Sequence, residues 1–412
     1  MGNRPLEGIR VVEMATFIAA PCTARFLADL GAEVIKVEPP MGDPLRYTAV
    51  NEGRPLDQKE NTSYDLENAG KTCISLNTKS EEGREALEKL LTTADVFICN
   101  WRQSPLKRAG LDWETLHEKY PKLVYGYVSG YGEKGPDKDL PGFDFTAFYA
   151  RGGILGSLRD KNSLPMLTVQ GFGDHQVAMN LAAGVLAALF KAKMTGEGDH
   201  VVVSLFHSAI WDISLMLQAS QYGADSTQYP MERWKLGNPL VLCYETADGQ
   251  WLQIAMPQYD RHYPILMNAM GYPELADDAR YYPQKNLIPN REEFSAWITA
   301  EFKKKTCDEW CKLLDANDLP YAIAQEWDSL LEDKQAWASD CFYEMSYSNG
   351  NKRTLVRPPV LFDQMGLPPY ERGPYLGEQT KDILGELGYS AEAIDELIKS
   401  GAVIDMDPAL RD

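Results

Sequence analysis

A carboxylate flanked by glycines precedes the most apolar helix that the sequence predicts. Asp174 follows Gly171 and Gly173 and leads into an alanine-rich stretch. The glycines allow a ligand to approach the backbone closely, and a helix N-terminus stabilises a carboxylate and offers N–H donors to a developing oxyanion. Such a carboxylate could attack a thioester as a nucleophile and form a mixed anhydride. The structural alternative is that Asp174 caps the helix, and spacing alone favours this cap.

Two other side chains are candidates for the same site. Asp144 follows Gly142 and Phe143 at the end of a Gly- and Pro-rich loop. It could orient an acid substrate or a neighbouring donor, although a lone acidic residue in such a loop is usually exposed. His175 adjoins Asp174, and for it a solvated or hydrogen-bonded histidine is the more common interpretation than a catalytic one.

Nucleotide-binding signatures are absent, but basic residues follow one predicted strand. The sequence has neither a GxxxxGK[ST] loop nor a strand-linked GxGxxG, so a nucleoside triphosphatase or a dinucleotide dehydrogenase is not indicated. Arg102, Lys107 and Arg108 follow the strand 96–99, together with Trp101. They form either a solvated helix face or a recess at the carboxyl edge of a sheet, where α/β folds bind ligands. In such a recess Trp101 could stack on a base while the cations contact phosphates.

Composition excludes several classes of partner. Sixty acidic and 41 basic residues give a net charge of −19 over 412 residues, which disfavours binding to nucleic acid or to an anionic membrane. The seven cysteines are scattered, and no Cys or His pair completes a zinc site. No apolar run reaches the roughly 20 residues of a membrane span. No secretory signal is evident at the N-terminus. A cytoplasmic enzyme is the simplest interpretation.

The elements that must position these residues alternate between strands and helices. Short β-rich runs at 9–13, 34–37, 73–76, 96–99, 123–128 and 201–203 alternate with helices at 19–29, 78–91 and 174–193. Thr78 and Glu81 have the spacing of a capping box at the second helix. This alternation predicts an α/β fold with a doubly wound, Rossmann-like parallel sheet.

The remaining sequence predicts a smaller α+β domain and a returning tail. Asp248 and Gly249 lie between two β-rich runs as in a hairpin, and helices follow at 258–270, 291–304 and 308–316. The tail carries a helix at 379–398, interrupted near Gly388. We therefore expect a large α/β domain over 1–225, a small α+β domain over 226–320, and a return segment over 321–412 whose helices pack on the large domain.

The chain resembles the class III (CaiB/BaiF-type) coenzyme A transferases over nearly its whole length. The matching stretches are 5–13, 31–38, 42–44, 100–101 with 106–110, 130–132, Gly-Phe-Asp at 142–144, Gly-Asp at 173–174, and Leu-Gly-Glu-Gln-Thr at 376–380 with 383–384. Each stretch alone is weak, whereas their order and spacing together are specific. The resemblance implies two-domain chains that form interlocked homodimers. It also implies coenzyme A (CoA) as the acyl-CoA co-substrate, with no metal or redox cofactor.

The resemblance also assigns site residues. It makes Asp174 the nucleophile, and Asp144 matches an acidic residue near the family's active centre. The implied CoA contacts are Phe17, Ile18, Ala19, Leu76, Lys79, Asn100, Trp101, Arg108 and Ala109. The sequence departs from the family pattern at Pro39, where some members have a cation for the nucleotide. It also lacks a glycine-rich flap in 237–255, which argues against oxalate or formate as substrate.

Two segments resemble one branch of the family in particular. Residues 61–68 and 134–144 are similar to transferases that act on (R)-2-hydroxy acids in amino-acid fermentation. This likeness implies transfer of CoA from cinnamoyl-CoA or another 2-enoyl-CoA to phenyllactate or 2-hydroxyisocaproate, which a 2-hydroxyacyl-CoA dehydratase then consumes. Candidates for lining the side-chain pocket are Phe145, Phe148, Tyr149 and Tyr222.

Two competing interpretations remain open at the level of sequence. One is an α-methylacyl-CoA racemase-like enzyme, which pairs an Asp with a His as its two bases. Phe143 occupies the position of that His, and a phenylalanine carries no proton. The other is a non-catalytic acyl-CoA-binding protein, against which the presence of both Asp174 and Asp144 weighs.

Overall fold

The chain forms two compact units. The computed structural model describes residues 4–224, 227–368 and 370–411. Unit 1 comprises residues 1–154, 168–212 and 334–412, and unit 2 comprises 155–167 and 213–333. The domain boundaries expected at 225 and 320 stay a prediction.

Twelve strands lie in the described ranges. In chain order they are β1 (Arg10–Met14), β2 (Glu33–Glu38), β3 (Thr72–Leu76), β4 (Val96–Cys99), β5 (Val124–Ser129), β6 (His200–Ser204), β7 (Cys243–Glu245), β8 (Trp251–Ile254), β9 (Tyr321–Ile323), β10 (Phe342–Ser346), β11 (Lys352–Val356) and β12 (Val403–Ile404). The six β-rich runs that the sequence predicts in the first 225 residues correspond to β1–β6.

Seventeen α-helices occupy the same described ranges. They are α1 (Ala19–Asp29), α2 (Thr62–Asn68), α3 (Glu81–Leu91), α4 (Gln103–Ala109), α5 (Trp113–Lys119), α6 (Ile154–Ser157), α7 (Phe172–Thr195), α8 (Leu205–Asp212), α9 (Ser214–Ser220), α10 (Tyr259–Met270), α11 (Gln284–Leu287), α12 (Arg291–Phe302), α13 (Cys307–Ala316), α14 (Trp327–Leu331), α15 (Lys334–Ala338), α16 (Thr380–Glu386) and α17 (Ala391–Ser400). A π-helical segment, Asp144–Ala150, precedes α6.

Unit 1 is built on a seven-stranded sheet in the order β12-β3-β2-β1-β4-β5-β6. All neighbouring strands are parallel except β12, which runs antiparallel to β3 at one edge. Helices α1 and α7 cover one face, while apolar residues of α3, α16 and α17 form a core cluster with the other face. The predicted α/β fold with a mostly parallel sheet is confirmed.

Helix α7 is the central helix of this unit. Its buried residues Val177, Leu181 and Val185 face the sheet and α1. Gly126 of β5 permits the close approach, because an added Cβ there would lie 3.1 Å from Val185 Cγ2. The helix has 24 residues and extends beyond the predicted bounds 174–193 at both ends. Within the described residues it is the one helix long and apolar enough to cross a membrane by length and composition.

Buried charges lie between the sheet and α1. Glu13 of β1 and Lys36 of β2 are register neighbours, and Lys36 Nζ lies 2.7 Å from Glu13 Oε1. Lys71 Nζ lies 2.6 Å from the other Glu13 oxygen, and all three side chains are fully buried. Breaking one member of such a network leaves an uncompensated buried charge, which costs about 3–5 kcal/mol. The network therefore fixes the central strands and, through Lys36, the loop beside them.

Unit 2 contains a separate core. Strands β7, β8 and β9 form an antiparallel sheet, and α10, α12 and α13 pack with it around residues between Leu240 and Leu319. The predicted hairpin at Asp248 and Gly249 is confirmed, with Gly249 in the left-handed conformation at φ +78°.

One local prediction is wrong. Thr78 does not cap α3; Ser80 does, and its hydroxyl accepts a hydrogen bond from the Gly83 N–H. The helix therefore begins at Glu81, whose negative charge in the first turn suits the positive end of the helix dipole.

Candidate active site

A cavity lies at the carboxyl edge of the sheet in unit 1, where the strand order reverses between β1 and β4. Open α/β sheets bind ligands at this switch point. The cavity has a volume of about 250 Å³, and its lining includes Phe17, Asn100, Phe143, Asp144 and Asp174. The loops after β1, β4 and β5 and the start of α7 thus converge on one space.

The loop after β1 is held in a strained conformation. Phe17 has φ +64°, which is unfavourable for a residue with a side chain. Its N–H donates to Asp43 Oδ1 at 3.0 Å, and Asp43 Oδ2 pairs with Lys36 Nζ at 3.0 Å. The Asn100 side chain accepts from the Thr16 N–H and donates to the Thr16 carbonyl. These contacts connect the cavity wall to the buried charge network.

Asp174 is not the cap of α7, so the structural alternative from the sequence is wrong. Gly171 is the N-cap, with φ +84°, and Asp174 is the third residue of the helix. The carboxylate that accepts a hydrogen bond from the first turn of α7 belongs instead to Asp144, whose Oδ1 accepts from the Gly173 N–H at 3.2 Å. Asp144 is buried and begins the π-helical segment, a feature that recurs at functional sites.

Gly173 is required by this arrangement. An added Cβ at this position would overlap Asp144 Oδ1 and the Phe148 ring. Phe148 and Tyr149 also contact the ring of Phe172 at the first position of α7. The π-helical segment and the first turn of α7 therefore pack closely enough to bring two carboxylates to one helix N-terminus.

Both carboxylates are harder to ionise than usual. Burial raises the pKa of Asp174 to about 7, and the charges of Asp144 and Glu67 act in the same direction while His175 opposes them. Burial raises the pKa of Asp144 to about 6, although the N–H groups of Gly171 and Gly173 stabilise its ionised form. At neutral pH a substantial share of Asp174 is ionised and available as a nucleophile.

His175 forms a pair with Glu67. The two side chains meet at 2.9 Å between Nε2 and Oε1, with Glu67 buried and His175 partly exposed. Burial disfavours the imidazolium, but the hydrogen bond and charge of Glu67 raise the pKa of His175 overall. The sequence assigned His175 no role, whereas the structure places it where its charge lowers the pKa of Asp174.

Cys22 lies beside the same pair. Among the described residues, its sulfur, a Glu67 oxygen and a His175 nitrogen lie within 4.8 Å of one another, a grouping that could hold a metal ion. The positive charge of Lys71 acts on both Glu67 and Cys22 and disfavours a cation there. The expectation of metal-free catalysis stays a prediction.

The residues proposed as CoA contacts fall into two groups. Phe17, Ile18, Ala19 and Asn100 line the cavity together with both aspartates. The others lie outside this lining. Leu76 is buried at the end of β3, and Lys79 is exposed. Trp101 packs on the core cluster that α3, α16 and α17 form with the sheet. Arg108 and Ala109 are exposed on α4. The role of each residue stays a prediction.

The aromatic lining differs from the four residues suggested by the sequence. Phe145, Phe148, Tyr149 and Tyr222 are not part of the lining of this cavity. Phe17 and Phe143 line it instead, with their rings edge to face at 6.3 Å, and Tyr127 joins them.

Sequence reasoning missed Asp43 and Glu67 as contributors to the site. Each lies within a stretch that carries the family likeness, 42–44 and 61–68, and that likeness was the available signal. Their contacts cross 26 and 108 residues of chain, so no local pattern reports them.

Comparisons with known proteins show the family of the chain. The model of CoA-transferase family III matches residues 6–380. The chain belongs to this family.

Relatives of this family III CoA-transferase cover almost the full chain. It is 52% identical to the cinnamoyl-CoA:phenyllactate CoA-transferase of Clostridium sporogenes, over 95% of this chain and 96% of the relative. It is 41% identical to the (R)-2-hydroxy-4-methylpentanoate CoA-transferase of Clostridioides difficile, over 97% of this chain and 99% of the relative. The crystal structure of a CAIB/BAIF family protein from Brucella suis matches with a TM-score of 0.77 and 27% identity, covering 93% of this chain and 100% of that one.

Gly173→Ala tests the geometry at the start of α7 in this CoA-transferase. The added methyl group must displace Asp144 or Phe148, and we expect the CoA transfer rate to fall about 100-fold, as for a displacement of about 1 Å at a reacting centre. Gly385→Ala is the matched control, because nothing lies near its added Cβ in α16. Equal transfer rates in the two variants and the unaltered enzyme would show that the close packing is not needed.

Proposed function

We propose that the protein transfers CoA from a 2-enoyl-CoA such as cinnamoyl-CoA to an (R)-2-hydroxy acid such as phenyllactate or 2-hydroxyisocaproate. The observation that carries this proposal is Asp174, a partly buried carboxylate that lines the switch-point cavity at the N-terminus of α7. The choice of substrates is supported by the two clostridial relatives, whose names give these acids.

The proposed cycle uses Asp174 as a covalent carrier. Its carboxylate attacks the thioester carbonyl of the donor, a C–O bond forms, the C–S bond breaks, and CoA leaves as the thiolate. The acyl group is now a mixed anhydride with Asp174. The thiolate then attacks the aspartyl carbonyl, which gives an aspartyl-CoA thioester and frees the donor acid. The acceptor carboxylate displaces CoA from that thioester, and the thiolate attacks the new acyl group to give product and free Asp174.

The surroundings of Asp174 suit each step. The positive end of the α7 dipole stabilises negative charge as it moves between the carboxylate and the thioester oxygen. Partial burial excludes water, which would otherwise hydrolyse the anhydride. His175 lies outside the cavity lining, and its charge lowers the pKa of Asp174 while that of its partner Glu67 raises it.

An aromatic side chain suits the cavity well. Phe17, Phe143 and Tyr127 offer ring faces and edges to a phenyl group, and such aromatic pairs contribute about 0.5–1.5 kcal/mol beyond area burial. We therefore favour phenyllactate over 2-hydroxyisocaproate. Phe143 also argues against a racemase, because it lies where a second base would act and carries no proton.

Several wider expectations accompany this function. CoA is the family's co-substrate, and we propose that Phe17, Ile18, Ala19, Leu76, Lys79, Asn100, Trp101, Arg108 and Ala109 bind it, with no metal involved. We further propose an interlocked homodimer in the cytoplasm that supplies a 2-hydroxyacyl-CoA dehydratase. The domain boundaries at 225 and 320 belong to the same proposal.

A CoA-exchange assay tests the proposed function. With cinnamoyl-CoA as donor, we expect transfer to phenyllactate and 2-hydroxyisocaproate. Asp174→Asn should slow transfer at least about 1,000-fold because an amide is not the required nucleophile, while CoA affinity measured by calorimetry stays close to that of the unaltered enzyme. Asp382→Asn, an exposed change of equal charge in α16, serves as control. Full activity of Asp174→Asn would refute the covalent role, and transfer to neither acid would refute the substrate class.

The pH dependence of donor-acid release in the first turnover gives a second test. Only ionised Asp174 attacks, so the rate should rise with pH, reach half its maximum near pH 7 and level off above it. Asp144→Asn removes a negative charge and should move the midpoint to lower pH. His175→Gln removes a positive charge and should move it to higher pH. Shifts of the same sign in both variants would contradict this electrostatic account.

A further inference from the structure

The unpaired oxygen of Asp144 is a hydrogen-bond acceptor that the proposed transfer cycle leaves without a role. Asp144 is 4% exposed, and its Oδ1 is occupied by the Gly173 N–H. Within the part of the chain that the structure describes, Oδ2 is buried and has no hydrogen-bond partner. Buried polar atoms nearly always have a partner, and leaving one unsatisfied is costly. A substrate group could therefore satisfy this oxygen.

The position of Asp144 limits which substrate group can do so. Asp144 and Asp174 line the same cavity, and the hydrogen bond to Gly173 ties the Asp144 carboxylate to the residue next to the nucleophile. When an acyl group is attached to Asp174, its C2 atom is bonded directly to the acyl carbon. A hydroxyl group on C2 therefore lies close to Asp174, in the cavity that Asp144 also lines.

Neither the cations nor the side-chain amide in the lining offers a free acceptor. A hydroxyl proton needs an acceptor, and Arg102 and Lys138 in the lining offer only donors. Both ends of the Asn100 amide are occupied by the Thr16 backbone. A hydroxyl that donates to a carboxylate forms a charge-assisted hydrogen bond, which is stronger than a neutral one.

We propose that Asp144 Oδ2 accepts a hydrogen bond from the 2-hydroxyl group of the acid and thereby selects 2-hydroxy acids over acids without that group. This inference rests on the proposed function, since it presumes an acyl group on Asp174. Asp144 is then a specificity-determining residue in addition to holding the first turn of α7. A 2-enoyl donor has no such hydroxyl and leaves Oδ2 unpaired, so the preference applies to the hydroxy acid.

Three acceptor acids that differ only in the substituent on C2 test the proposed hydrogen bond to Asp144 in the unaltered enzyme. They are phenyllactate, 3-phenylpropionate, which lacks the hydroxyl, and 2-methoxy-3-phenylpropionate, whose oxygen cannot donate. With cinnamoyl-CoA as donor, we expect kcat/KM for phenyllactate to exceed both others by at least about 100-fold, because a site built around a hydroxyl discriminates strongly against its loss. A methoxy acid as good as phenyllactate would overturn the proposal, and so would equal rates for all three.

The Asp144→Asn variant tests whether the preference for 2-hydroxy acids depends on this residue. Asn keeps the size of the side chain and an acceptor for the Gly173 N–H, but turns an NH₂ donor toward the substrate. We expect the ratio of phenyllactate to 3-phenylpropionate to fall to about 10-fold or less, and the methoxy acid to gain relative to 3-phenylpropionate. Asp395→Asn, an exposed change of equal charge in α17, should keep the original ratio.

The possible failures are distinguishable. An Asp144→Asn enzyme with the original ratio would overturn the role of Asp144 while the proposed function stands. Absence of transfer to any of the acids by the unaltered enzyme would instead refute the proposed function. The comparison of acceptors in the unaltered enzyme needs no variant, so a poorly folding Asp144→Asn would not leave the proposal untested.

Discussion

The hydrogen bond from the Gly173 N–H to the Asp144 carboxylate is the contact on which the site depends. It joins the π-helical segment to the first turn of α7 and places a second carboxylate beside Asp174. The π-helical segment can approach α7 this closely only because Gly173 has no side chain. The loop before the segment also depends on glycines, because an added Cβ on Gly130 would lie 2.7 Å from Gly142 Cα. As a consequence, burial and the neighbouring charge of Asp144 raise the pKa of Asp174 to about 7, well above that of an exposed aspartate.

A second constraint lies behind the opposite wall of the cavity. Glu13, Lys36 and Asp43 are fully buried, and their pairing offsets the cost of removing charges from water. Asp43 uses its other oxygen to hold the Phe17 N–H, so the pairing keeps the loop after β1 in a conformation that a non-glycine residue rarely adopts. Core stability and the shape of the binding cavity are therefore coupled in this fold.

Much of the fold could be predicted from the sequence, because its signals are local. The strand 96–99 and the helix 19–29 have the predicted bounds, since a short continuous apolar run defines the strand and Pro21 lies in the first turn of the helix. Local signals failed where two residues compete for one role, as Ser80 does with Thr78. Asp174 resembles a cap in sequence, yet the left-handed Gly171 starts the helix three residues earlier. The partners Asp43, Glu67 and the unpaired Asp144 oxygen depend on contacts across many residues, which patterning does not report.

Trapping the acyl-enzyme tests the central claim, the covalent role of Asp174, most directly. The enzyme would be incubated with cinnamoyl-CoA and hydroxylamine, digested, and its peptides analysed by mass spectrometry. Hydroxylamine attacks the aspartyl carbonyl of the mixed anhydride or of the aspartyl-CoA thioester, so we expect a hydroxamate at Asp174, dependent on the donor, with Asp144 unmodified. An unmodified Asp174 in enzyme that demonstrably turns over, or a hydroxamate at another residue, would contradict the account.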